Sequence, residues 1–309
     1  MTVRAYLFTG WLSVVWLMIG NIVSADDPEV ALNDSELVAD VRVQTKDGWS
    51  VIESPNFRCR CQLNEADGRR LAQCCETWRV RLRKAWLTQS DSEYWQPKCE
   101  VCLHPNLEAY NRALGRPGDT SVGSTTINFD QGRAVLRRID IRIDARDWSN
   151  AALPHELTHV TLAERFGGRT LPRWADEGIA MLSESPEKHR ERLTNLQETL
   201  VRHPTYRMFD LVKTVRVPPA HLRDAFYGQS VAVVSLLVRK STPAKFADFV
   251  AESERVGLDQ ALREHYRVDG IAGLQREWDE SIRRPEAIEF VSLQLHTDKG
   301  ASVAILSDR

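Results

Sequence analysis

Net charge is nearly absent from this chain: 41 Lys and Arg against 43 Asp and Glu leave −2 over 309 residues. The basic residues are dispersed rather than striped, so the electrostatic footprint of a nucleic-acid binder is missing and no nucleic-acid partner is expected. Internal repeats and low-complexity runs are missing too, which removes solenoids and linker-like disorder. After Val23 no apolar run is long enough to span a bilayer. Cysteine is absent from everything beyond residue 102, so no thiolate accompanies the histidines further on.

What is present begins with residues 1–25, "MTVRAYLFTGWLSVVWLMIGNIVSA". One early charge, Arg4, an apolar run from Ala5 to about Val23 and the small-residue exit Val23-Ser24-Ala25 form the layout of a secretory signal peptide. Removal of this segment predicts an exported protein: secreted, periplasmic or at the cell surface. Membrane association is expected only if the segment stays uncleaved. All six cysteines (Cys59, Cys61, Cys74, Cys75, Cys99, Cys102) lie in one N-terminal stretch. An even count in an exported chain predicts disulfides, with a second zinc site at the CxC and CxxC as the rival reading.

Residues 26–48 are acidic, poor in large apolar groups and expected to be an extended lead-in. "WSVIESPNFRCRCQL" alternates as strand does. In residues 69–87, Leu71, Cys75, Trp78, Leu82 and Ala85 recur at steps of four and three, which predicts an amphipathic helix. A short strand at "KCEVCLHP" and a helix ended by Gly115 follow. "SVGSTTINF" and "AVLRRIDIRID" flank a turn at Asp130-Gln131-Gly132, with Ile139, Ile141 and Ile143 on one strand face. Nearly everything after residue 180 reads helical. Residues 230–238 are apolar all round, and Gly257 and Gly270 separate shorter helices. Residues 285–309 change character and are expected to form a C-terminal extension with a hairpin around Asp298-Lys299-Gly300.

The chemistry concentrates in "AALPHELTHVTLAERFGGRTLPRWADEGIA", residues 151–180. His155 and His159, four apart, stand one above the other on a helix face, and neutral imidazole nitrogen suits zinc. Glu156 is rotated about 100° from His155, poorly placed as a ligand with them but able to reach a water at an open coordination position. There a carboxylate can take the proton from water attacking a carbonyl and pass one to the leaving amine. Eight histidines and 43 acidic residues make a His-acid-x-x-His string a chance event about 0.03 times in such a chain. Pro154 suits the first helical turn and Gly167-Gly168 its end. Pro172 then opens a second helix whose Glu177 can turn back to complete a His₂Glu set with one position open.

With "HELTHV", the Trp-x-x-Glu-Gly-x-Ala frame of "LPRWADEGIA" and "AFYGQSVAVVSLLV" some fifty residues on, the chain resembles the gluzincin metallopeptidases, most closely the group called peptidase MA-like. The resemblance covers roughly residues 121–282. It implies that His155, His159 and Glu177 bind Zn²⁺ and that Glu156 is the general base. Related gluzincins place slightly more residues than the 17 here between second histidine and third ligand, which keeps Asp176 as an outside candidate. Otherwise Asp176 orients a histidine or caps the helix. Tyr227 sits where the family often has an oxyanion-stabilising tyrosine, although an amphipathic core tyrosine reads the same way. His221 carries the same two readings. The family also binds peptide backbone along an edge strand before the active helix, for which "SVGSTTINF" is the candidate.

The expectation is therefore an α+β, zincin-like unit over residues 49–284. Residues 49–150 form a cysteine-bearing α+β part with a mixed sheet, and 151–284 a helical part with the metal site. Its expected function is that of an exported zinc metallopeptidase acting on peptide or protein substrates. A second reading keeps the zinc but makes it structural or latent, in a scaffold or binding protein; a fourth protein ligand would mark it. Metal-assisted hydrolysis of another bond is a third.

Overall fold

The computed structural model describes residues 41–46, 48–87, 94–169, 171–202, 205–216, 218–284, 288–291, 293 and 295. The expected signal segment and the expected C-terminal hairpin lie outside them. Six strands form one sheet: β1 (Arg42–Lys46), β2 (Trp49–Glu53), β3 (Phe57–Cys61), β4 (Cys99–His104), β5 (Gly123–Asp130) and β6 (Arg133–Arg142), in the order β1-β2-β3-β4-β6-β5. The β3–β4 and β4–β6 pairs are parallel and the rest antiparallel, so β5 returns along β6 as the edge strand. β1 falls inside the expected lead-in. Its five residues pair with β2 from Arg42↔Glu53 to Lys46↔Trp49, so the sheet begins before residue 49.

One face of the sheet is apolar. Ile52, Phe57, Cys59, Val101, Leu103, Ile139 and Ile141 are all buried there. Helix α1 (Glu65–Trp86), capped by the Asn64 side chain, covers it with Leu71, Cys75, Trp78, Leu82 and Trp86. After α2 (Leu107–Leu114) and the β5–β6 hairpin, a single π-helical turn, Trp148–Ala152, leads into α3 (Leu153–Phe166). That helix packs beside α1, and a part-buried Arg83–Glu164 ion pair ties the two. Asp140 opposes the isoleucines along β6, as the alternation requires, and is buried there, held by His104 at 2.7 Å and by Arg138.

The disulfide expectation is also corrected. All six cysteines are free thiols and all are buried. Cys59, Cys61 and Cys99 are on the inner sheet face and Cys74 and Cys75 on α1, where each acts as a small apolar group filling the layer. Burial pushes the Cys74 thiol up to about 12, the direction that suppresses thiolate chemistry.

The helical half follows: α4 (Arg173–Met181), α5 (Pro186–Arg202), α6 (Met208–Lys213), α7 (Ala220–Arg239), α8 (Pro243–Val256), α9 (Leu258–Tyr266) and α10 (Gly270–Ser281). α7 is the central rod, packed against α4, α5 and α8. Among the described residues no helix is long and apolar enough to cross a membrane. Residues 288–291 lie on α7, where the Val291 amide donates to Ser235 Oγ at 2.6 Å and Ile288 is buried. That part of the expected extension belongs to the helical layer.

Candidate metal centre

Helix α3 starts with Pro154, whose missing N–H is unneeded in the first turn, and stops at Gly167, where φ is 56° in the left-handed region. Leu157 and Val160 are fully buried, which fixes the helix's rotation and turns His155 and His159 toward α4. A short loop brings the chain back to Pro172, and α4 follows. Trp174 is buried in an edge-on contact with Phe246, which anchors α4 on the helical layer. Gly178 lets it approach α7: a Cβ there would strike the Val234 side chain and stand 2.8 Å from the Ser230 carbonyl oxygen.

This arrangement brings three ligand residues together. One ligand atom each from His155, His159 and Glu177 lies within 4.8 Å of the others, and no second such cluster occurs among the described residues. Each imidazole uses Nδ1 elsewhere: His155 donates to Glu184 Oε1 at 3.0 Å, and His159 to Asp176 Oδ1 at 2.8 Å. That fixes the tautomers and leaves both Nε2 lone pairs for a cation. Glu177 is divided in the same way. Arg173 holds Oε1 at 2.8 Å, and Oε2 faces His155 Nε2 at 3.5 Å. Two ligands on a tetrahedral ion with bonds of 2.0–2.1 Å stand about 3.3 Å apart, so the residues fit zinc in donor type and in spacing.

The electrostatics point the same way. Burial alone would depress the His155 pKa, but its bonds to Glu177 and Glu184 outweigh that and push it up to about 10. Burial would raise Glu177 and Glu184. The His155 contact and neighbouring cations hold the first near 2, and Arg192 with His155 holds the second near 2. The metal-free centre thus concentrates anionic groups around two imidazoles, and a divalent ion would take the place of a proton on His155.

Of the residues singled out in the sequence, Asp176 sits on His159 Nδ1 and the three-residue cluster forms through Glu177. Half-buried Tyr227, on α7, is close enough to Glu177 and Arg173 to feel their charges, and burial first of all raises its pKa. His221 is exposed in the first turn of α7. Glu156 is 8% exposed and faces β5.

Sequence reasoning missed Glu184 and its partner Arg192, which grips both carboxylate oxygens. Glu184→Gln keeps the shape and a weaker acceptor for His155, whereas removing the side chain would leave the half-buried Arg192 charge without this carboxylate. Glu184→Gln and Asp176→Ala are each expected to weaken zinc binding about 10- to 100-fold, measured by competition with a chromogenic chelator. Unchanged affinity in both would remove their orienting role.

A family model described as the peptidase MA superfamily matches residues 127–284, just over half of the chain. The match begins within β5, takes in α3 and α4, and runs past the end of α10. No curated protein matches the chain.

Proposed function

The chain belongs to the peptidase MA superfamily, and on that premise we propose that it is an exported zinc metallopeptidase of the gluzincin type. His155, His159 and Glu177 hold the ion, and Glu156 is the general base. The observation that carries this reading is the division of labour among the ligand atoms: both Nδ1 atoms and one Glu177 oxygen are occupied, the other Glu177 oxygen faces His155 Nε2 at 3.5 Å, and one ligand atom of each of the three residues lies within 4.8 Å of the others. Zinc, when bound, supplies Lewis acidity that makes water a nucleophile at neutral pH.

Glu156 takes a proton from the attacking water and returns one to the departing amine, without a covalent intermediate. Arg173 holds the far oxygen of Glu177, leaving it one oxygen for the ion. Tyr227, close enough to Glu177 and Arg173 to feel their charges, donates to the carbonyl oxygen as charge develops there. Among the described residues β5 is the edge strand of the sheet, where an extended peptide can add a strand, the recognition mode that suits a peptide or protein substrate. Three ligand residues among those described would leave a coordination position open, which favours catalysis over a structural zinc. Export rests on the layout of residues 1–25.

The test is direct. Purified residues 26–309, loaded with zinc, are given a diverse peptide mixture and the products are read by mass spectrometry. New termini that vanish with chelation and return with zinc are the expected result. Intact peptides with zinc bound one to one would turn the centre into a structural or latent one.

A further inference from the structure

The Glu156 carboxylate is held by a neighbouring strand more than by its own helix. β5 runs beside α3 from Glu156 to the helix's C-terminal end. At one end Gly123 and Thr125 meet Glu156; at the other Phe129 and Gly132 meet Gly168 and Gly167. The spans match: six residues of strand and twelve of helix each cover about 20 Å. Gly123 and Thr125 pair with Ile141 and Ile139, whose side chains point into the core, so both face α3.

These two residues grip the carboxylate by different means. The Thr125 hydroxyl donates to Oε2 at 2.6 Å. The Glu156 carbonyl oxygen, 3.2 Å from the same hydroxyl, is the weaker claimant for its single proton. Gly123 contributes space: a Cβ there would stand 2.7 Å from Oε1 and 2.8 Å from Cγ. A larger residue at 123 would displace the carboxylate, and an apolar one at 125 would release it.

We infer that Thr125 is a positioning residue for Glu156, fixing where its carboxylate points from the strand at the edge of the described sheet. The role rests on the reading of Glu156 as the base. It also makes β5 the element that sets substrate backbone and proton acceptor in one frame.

The test compares wild type with Thr125→Val and Thr125→Ser. Valine matches threonine in shape and suits a strand, so the hydroxyl is what changes. In the metal-free protein, carbodiimide coupling of Glu156 to an added amine, mapped by mass spectrometry, is expected to rise several-fold in Thr125→Val and stay at the wild-type rate in Thr125→Ser. With zinc and a cleaved peptide, Thr125→Val is expected to lower kcat about 10- to 100-fold, the cost of a lost hydrogen bond to a charged group, at unchanged KM. Thr125→Ser restores it. Wild-type labelling and kcat in Thr125→Val would overturn the assignment, as would serine failing to rescue or an effect confined to KM. If wild type cleaves no peptide, the function proposed above fails on its own and the labelling comparison decides the placement.

Discussion

Replacing Glu156 with glutamine is expected to leave zinc bound one to one while kcat falls about 10²- to 10⁴-fold, the usual contribution of a positioned acid–base group. The substitution changes little else. Glutamine keeps the length of the side chain, fits the space left by Gly123 and still offers a carbonyl oxygen to Thr125. Neither His155, His159 nor Glu177 depends on Glu156 for a hydrogen bond, since their outer atoms go to Glu184, Asp176 and Arg173. What is removed is the negative charge, which acts on His155 through space, and with it the capacity to take a proton. Zinc content by mass spectrometry and steady-state rates on the same preparation separate the two effects, and a variant that turns over at the wild-type rate would sink the mechanism.

The other large effect is expected at a residue with no side chain. Gly178→Ala would ordinarily gain up to about 1 kcal/mol of helix propensity. Here the added methyl meets Val234 and stands 2.8 Å from the Ser230 carbonyl oxygen, on a rod that α5 and α8 hold from other sides. Overpacking of this kind costs about 1–3 kcal/mol, so the net change is destabilising by up to about 2 kcal/mol. At the size of this unit each kcal/mol lowers Tm by about 2–4 °C. Because Asp176 and Glu177 ride on α4, zinc affinity is expected to fall with Tm, and Gly178→Leu to lose both. A raised Tm with unchanged affinity in Gly178→Ala would mean that α4 is free to shift.

Such contacts are invisible in one dimension, which bears on how much of this molecule can be read from its letters. The helices were legible because their apolar stripes recur at three and four residues, as with Leu71, Cys75, Trp78 and Leu82. His155, Glu156 and His159 were legible because one helix carries them, and Glu177 because proline and glycine mark the turn that returns it. Glu184 was not. In "LSESPEK" the acid reads as part of a helix start before Pro186, and its bonds to His155 and Arg192 span 29 and 8 residues. Thr125 was hidden for a related reason: in "SVGSTTINF" a threonine is ordinary strand material. β1 has one apolar residue, Val43, in "RVQTK" and is a strand only because β2 lies beside it. The cysteines misled because their even number suggested pairing, whereas their place in the core shows packing.

One further consequence lies in how the centre is divided along the chain. Glu177 and the carboxylates that orient both imidazoles, Asp176 and Glu184, all come from residues 173–184, and the imidazoles themselves from one helix. The centre is thus assembled from two pieces joined by a single short connection at Gly167-Gly168. For a designer this is a transplantable pair, a helix and one docking segment, and the scaffold's task reduces to holding them at a fixed distance. For the cell it sets an order of events during synthesis: the three ligand residues are complete only once residue 177 has emerged, and the carboxylates that orient the imidazoles only once residue 184 has.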